Sequence, residues 1–103
     1  MTPVIVSLRA EADEIEILEY LASVAGRSTA LAYGNRFRAL YRLLSEHPDS
    51  GAPCPSVGRS VRHSVIFPYI VLYRHARGAV HILRVVHGRR RITGSMLKRR
   101  SED

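Results

Sequence analysis

VRHSVIFPYIVLYRHARGAVHILRVVHGRRRI, residues 61–92, decides the fold. It holds three apolar runs rich in Val, Ile, Leu, Tyr and Phe, side chains that suit a pleated, half-buried surface. The breaks fall at Phe67-Pro68 and around His75-Ala76-Arg77-Gly78, where Pro and Gly favour turns. Intervals this short predict antiparallel neighbours, because a parallel crossover needs about a dozen residues or more. The third run ends directly in Arg89, Arg90 and Arg91, and Lys98, Arg99 and Arg100 follow. A strand that delivers its chain into such a cluster presents guanidinium groups from a fixed base, and these seek carboxylate or phosphate.

Working outward, the segment before these strands reads as two helices. Residues 4–8 have strand composition, and Ser7 is a candidate N-cap for a helix opening with Glu11, Asp13 and Glu14 at its positive dipole end. Ile17, Leu18, Leu21, Val24 and Ala25 share one side at helical spacing, with Asp13, Glu16 and Tyr20 on another. Gly26 ends this helix after Ala25. A second begins near Ser28 and Thr29 and runs to about Glu46, carrying the stripe Tyr33, Phe37, Leu40 and Leu44, which belongs in a core. Two amphipathic helices with so brief a break form an antiparallel hairpin. The Pro- and Gly-rich stretch 47–55 is a surface loop. The predicted order is β-α-α-β-β-β, an α+β fold in which the helical hairpin packs on one face of a small antiparallel sheet and part of the other face stays accessible.

At 103 residues and 46% hydrophobic composition the chain reads as one domain with a modest core. Residues 94–103 form a basic tail, poorly ordered or briefly helical. The formal charge of +7 is polarised, since residues 1–50 sum to −2 and residues 51–103 to +9. The second half is therefore the one that meets an anionic partner. Cys54 is the single cysteine and can form no internal disulfide, which fits a reducing cytoplasm. It lies in a Pro-Cys-Pro loop and is given no role. The N-terminal apolar run is too short for a membrane span or a signal core, so the expected location is cytosolic.

Taken together, LRAEAD at 8–13 leading to Ile17 and Tyr20, the segments Phe37 to Leu44 and Pro48 to Gly51, Arg62, Tyr69 to Tyr73, and RVVHGRR at 84–90 resemble the ParE/RelE superfamily of bacterial toxins. The likeness extends over residues 4–92, and the ending HGRR resembles the ParE branch. The resemblance implies the toxin of a type II toxin-antitoxin pair, neutralised by a cognate ParD-like antitoxin in a toxin–antitoxin hetero-oligomer. ParE-like members are described as poisoning DNA gyrase, whereas RelE-like members are ribosome-dependent mRNA endoribonucleases. A metal-free RNA cut needs a base for the 2′-hydroxyl, a cation for the phosphorane and an acid for the leaving oxygen. The RelE-like set of strand Lys and Arg with a late Tyr is not matched here. Ile70 stands where that branch has Arg, His63 and its neighbours replace the strand lysines, Met96 falls near the late Tyr, and Arg90 alone matches. His63 is the remaining candidate base. The resemblance favours a gyrase-binding toxin without covalent chemistry, cofactor or metal, and with nucleic acid met only indirectly.

The candidate target-binding residues are Arg62, His87, Arg89, Arg90 and Arg91. Arg84, inside an apolar run, is read as paired within the fold. His81 and His87 are separated by an even number and predicted to share a strand face. The acids of the first helix, Glu11, Asp13, Glu14, Glu16 and Glu19, read as a solvated face. Surplus apolar side chains on the hairpin, Ile15 and Leu31, are the candidates for receiving an amphipathic antitoxin helix. Pairing of the antitoxin with a sheet edge is the alternative.

Overall fold

The computed structural model describes residues 1–89. Its elements are β1 (Val4–Val6), α1 (Leu8–Ala25), α2 (Arg27–Glu46), β2 (Ala52–Pro53), β3 (Val61–Ile66), β4 (Tyr69–Ala76) and β5 (Ala79–His87). The five strands form one sheet in the order β1-β5-β4-β3-β2. The predicted order is present, with the two-residue β2 added at an edge. The expected tail at 94–103 lies outside the described residues.

Local chemistry accounts for the helix limits. The Ser7 side chain accepts the Ala10 amide at 3.0 Å, capping α1, and Gly26 at φ 95° separates α1 from α2. At the other hairpin end of the sheet, Arg77 and Gly78 both have positive φ, the pattern of a two-residue turn whose twist matches the strands it joins. The strands of the 61–92 stretch are antiparallel as read, β3 to β4 and β4 to β5. β1, however, pairs parallel to β5 with Val4 opposite Val80, so the sheet is mixed. The helical hairpin and the strands after it supply the long crossover that such a pairing requires.

Both helices lie against one face. Leu21 of α1 and Phe37, Leu40 and Leu44 of α2 pack with Ile66, Tyr69, Val71, Tyr73, Val80, Ile82 and Val85. Phe37 and Leu44 are wholly buried, and burial of such a side chain stabilises by about 1.5–3 kcal/mol. The outer face carries Ile70, Leu72 and Leu83, over which the loop following β2 folds Cys54 and Val57 into a smaller cluster. The two helices are further joined by a hydrogen bond from Tyr41 Oη to Glu14 Oε2 at 2.8 Å.

One irregularity matters for function. Leu72 pairs with Arg84 but Tyr73 pairs with Ile82, so Leu83 is an extra residue in β5, a β-bulge. The bulge reverses the parity of everything beyond it. His81 lies opposite Arg74 on the outer face, whereas His87 lies opposite Tyr69 on the helix face. The expectation that His81 and His87 share a face is therefore corrected: even spacing guarantees a common face only in an unbulged strand.

Candidate docking site at the end of strand β5

β5 outruns β1, which pairs only with Val80, His81 and Ile82, so the last turns of its edge need other partners. The start of α1 provides them. The Ser7 amide donates to the Ile82 carbonyl at 3.1 Å, and the Ser7 hydroxyl to the Leu83 carbonyl at 3.2 Å. Nearly two helical turns further, Asp13 Oδ2 accepts the Val85 amide at 2.9 Å, taking the place of a neighbouring strand. The same carboxylate receives Arg84 Nε at 2.7 Å and Nη2 at 3.1 Å, a forked pair buried on both sides. Arg84 is thus a fold residue, as expected. Asp13 is not: it was read as part of a solvated acidic face, yet it is 7% exposed. Asp13 stands at i, i+4 and i+8 with Ile17 and Leu21, so helical spacing itself puts it at the border of the apolar stripe, the side that the end of β5 covers. Glu14 is also half-buried, and its desolvation raises its pKa above the ordinary carboxylate value, although the Tyr41 hydroxyl and Arg38 act in the other direction.

Beyond Val85 the strand end is held by rings and main chain. His87 meets the Tyr69 ring edge-on at 5.7 Å, and Tyr69 meets Tyr33 of α2 edge-on at 5.8 Å. The Arg89 amide donates to His87 Nδ1 at 3.0 Å, so that nitrogen is unprotonated in this geometry and a neutral ring carries its proton on Nε2. The Gly88 amide donates to the Pro68 carbonyl at 2.7 Å. A Cβ on Gly88 would sit 3.0 Å from that oxygen, so the close approach of the two turns favours glycine here.

Two hollows meet at Pro68 and His87. The groove on the helix side, about 630 Å³, is lined by Asp13, Glu16, Tyr20, Val24, Tyr33 and Tyr69 among others. The cleft on the outer side, about 510 Å³, is lined by Val65, Phe67, Ile70, Gly88 and Arg89 besides the shared pair. Tyr20 and Val24 are each 60% exposed, one helical turn apart, and offer the groove an i, i+4 apolar rim.

Of the residues singled out in the sequence, His87 and Arg89 stand together at this strand end. Arg90 and Arg91 lie outside the described residues. Arg62 is elsewhere: the register places it four residues along β3 from Ile66, which aligns through Tyr69 with His87, a separation of roughly 16 Å at standard strand spacings. Its guanidinium is engaged there, donating to the Gly51 carbonyl at 2.7 Å and the Asp49 carbonyl at 3.2 Å. Asp49 also meets His75 Nδ1 at 2.9 Å. That hydrogen bond, with the charges of His75 and Arg62, draws the Asp49 carboxyl below its ordinary pKa. Arg62 thereby fastens the loop after α2 to the sheet. Ile15 and Leu31, each 57% exposed, line neither hollow.

The histidines do not converge. His63 and His81 share the outer face but are separated by β4, and His87 points to the opposite face. His63 Nδ1 is buried without a partner. Base and acid would have to act on one phosphate from within about 3 Å, and among the described residues these three histidines are not brought together for it. What the strand end does offer is a set of fixed cationic and apolar contacts. Sequence reasoning missed Tyr20, Tyr33 and Phe67 as members of the two hollows. The exposed i, i+4 pair Tyr20 and Val24 was the one readable signal.

Comparison with known proteins agrees with this geometry. Residues 4–92 match the family model described as ParE toxin of the type II toxin-antitoxin system parDE. The chain is 31% identical over 87 residues to Toxin ParE1 of Caulobacter vibrioides, an alignment that covers 84% of this chain and 90% of that protein. A solved structure titled Chromosomal ParDE TA system from P. aeruginosa superposes with a TM-score of 0.72 at 22% identity, covering 84% of this chain and 96% of the other. That last likeness bears on the fold.

Proposed function

We propose that this chain, which belongs to the ParE toxin family of type II toxin-antitoxin systems, arrests growth in the cytoplasm by binding DNA gyrase and is silenced by a cognate antitoxin. The observation that carries the reading is the end of β5, where His87 and Arg89 are held by ring contacts and by the Gly88–Pro68 hydrogen bond, with two more arginines next in sequence. Arginines on a rigid base bind carboxylates without first losing freedom, which favours a protein surface rich in Asp and Glu. Arg62 contributes indirectly, by fixing the loop at 47–51.

The antitoxin is proposed to lay an amphipathic helix along the helix-side groove, against Tyr20, Val24 and Tyr33, in place of the Ile15 and Leu31 surface. No membrane is involved; among the described residues no helix is long and apolar enough to cross one. The separated histidines support a non-enzymatic toxin over the ribonuclease alternative.

Induction in cells tests the reading. The expected result is an SOS response with gyrase-linked DNA breaks, reduced at least about tenfold by Arg89→Ala with Arg90→Ala in a protein that still folds. Codon-spaced mRNA cleavage with intact chromosomes would instead establish the ribonuclease. Full toxicity of the folded double variant would remove the arginines from the mechanism.

A further inference from the structure

The turn joining β3 to β4 has a tethered main chain and bare side chains. Tyr33 Oη donates to the Phe67 carbonyl at 3.0 Å, and the Gly88 amide holds the Pro68 carbonyl at 2.7 Å. Yet Phe67 is 77% exposed and Val65 is 59% exposed. With Ile70 they floor the outer cleft, whose wall is His87, Gly88 and Arg89, and among the described residues no acidic side chain lines it. A phenyl ring in water forgoes the stabilisation that burial would give it, while its backbone is already in the geometry a partner would meet.

We infer that Phe67 is the apolar anchor of the target-docking surface: it enters an apolar depression on the target protein while Arg89 pairs with carboxylates on the rim of that depression. The inference rests on the gyrase reading above and narrows it to a surface chemistry, a nonpolar pocket bordered by Asp or Glu. Charge selects this occupant. A cationic wall without acids favours an anionic partner, and the chain's own net charge of +7 opposes a second copy. Single-stranded nucleic acid would satisfy the arginines, but successive bases stack on successive aromatic platforms, and the cleft has one phenyl ring. Anchors of this kind, an aromatic ring beside an Arg, dominate interfaces because one buried ring excludes water around the charge pair.

Full-length Phe67→Ser, Phe67→Leu and Arg89→Ala are compared with the unaltered chain in two assays: purified gyrase heterotetramer cleaving supercoiled plasmid, and growth arrest on induction. Thermal melting checks the fold. Phe67→Ser is expected to raise the concentration needed for half-maximal cleavage about tenfold or more, with Phe67→Leu recovering most of it. Arg89→Ala is expected to flatten the salt dependence of cleavage, whereas Phe67→Ser shifts the curve and keeps its slope. A folded Phe67→Ser protein that matches the unaltered chain in both assays overturns the anchor. Growth arrest that needs Phe67 but proceeds without gyrase cleavage overturns the gyrase target and retains the anchor. Phe67-dependent binding of a fluorescent single-stranded oligonucleotide, with gyrase cleavage unaffected by Phe67→Ser, overturns the protein occupant.

Discussion

The groove and the cleft share Pro68 and His87 and differ in nearly everything else. The groove takes Glu16 and the Asp13–Arg84 pair together with phenol rings from Tyr20, Tyr33 and Tyr69, so it mixes hydrogen-bonding hydroxyls with an acid and a neutralised ion pair. Among the described residues the cleft is lined by no helix and no acid, and it has an arginine on its wall. The difference follows from strand geometry: alternate residues project to opposite faces, so one strand end serves two surfaces, and the helices colour only one of them. The two hollows thus present surfaces of unlike chemistry on either side of His87.

Asp13→Ala strikes this contrast hardest. It removes three hydrogen bonds from beneath the groove, two from Arg84 and one from the Val85 amide, and takes one charge out of a buried pair. Breaking such a pair costs about 3–5 kcal/mol, so urea denaturation should show a large loss of stability and growth arrest should fail with it. A loss below about 1 kcal/mol would mean that the end of β5 holds without α1. Gly88→Ala acts on the ridge itself. The added methyl carbon would approach the Pro68 oxygen to 3.0 Å and push the two turns apart, at a cost of about 1–3 kcal/mol. Growth arrest should weaken more than stability does; unchanged arrest would show that the two hollows need no fixed spacing.

The smallest effect is expected at Glu14, the neighbour of Asp13 that faces the second helix. Its folded-state pKa is raised from the ordinary 4.5, chiefly by desolvation, so the stability tied to its protonation is full below that value and is lost as pH rises through the folded-state pKa. Glu14→Gln keeps an acceptor for the Tyr41 hydroxyl and removes the titration. Melting temperatures measured from pH 4 to 7 should therefore diverge upward, with the variant gaining on the unaltered chain. Parallel curves would indicate that Glu14 is as well solvated as the acids further along α1.

Much of this was legible because it is local. Ser7 as a cap, Gly26 as a break and Arg77-Gly78 as a turn each act within a few residues, and the helix spans follow from them. Asp13 has the i, i+4, i+8 spacing of a buried side with Ile17 and Leu21, but its charge argues for solvent until the partner Arg84, 71 residues away, is known. The His81 and His87 parity failed at the bulge, since a single extra residue leaves no mark in an apolar run such as HILRVV. Phe67 reads as part of the break between two strands, and a break says nothing of what packs over it; among the described residues its ring stays 77% exposed. Arg62 looked like part of the cationic patch because both are basic, while its partners at Asp49 and Gly51 come from a loop brought back across the sheet.

By itself the sequence determined the order of helices and strands, the polarised charge and the run of arginines after the final strand, for capping, turn and periodic signals act between near neighbours. Only the tertiary structure decided that Asp13 substitutes for a strand partner 72 residues away, that His87 faces the helices, and that Phe67 stands bare beside Arg89. Burial and facing are properties of what packs against a residue, and distant segments supply that.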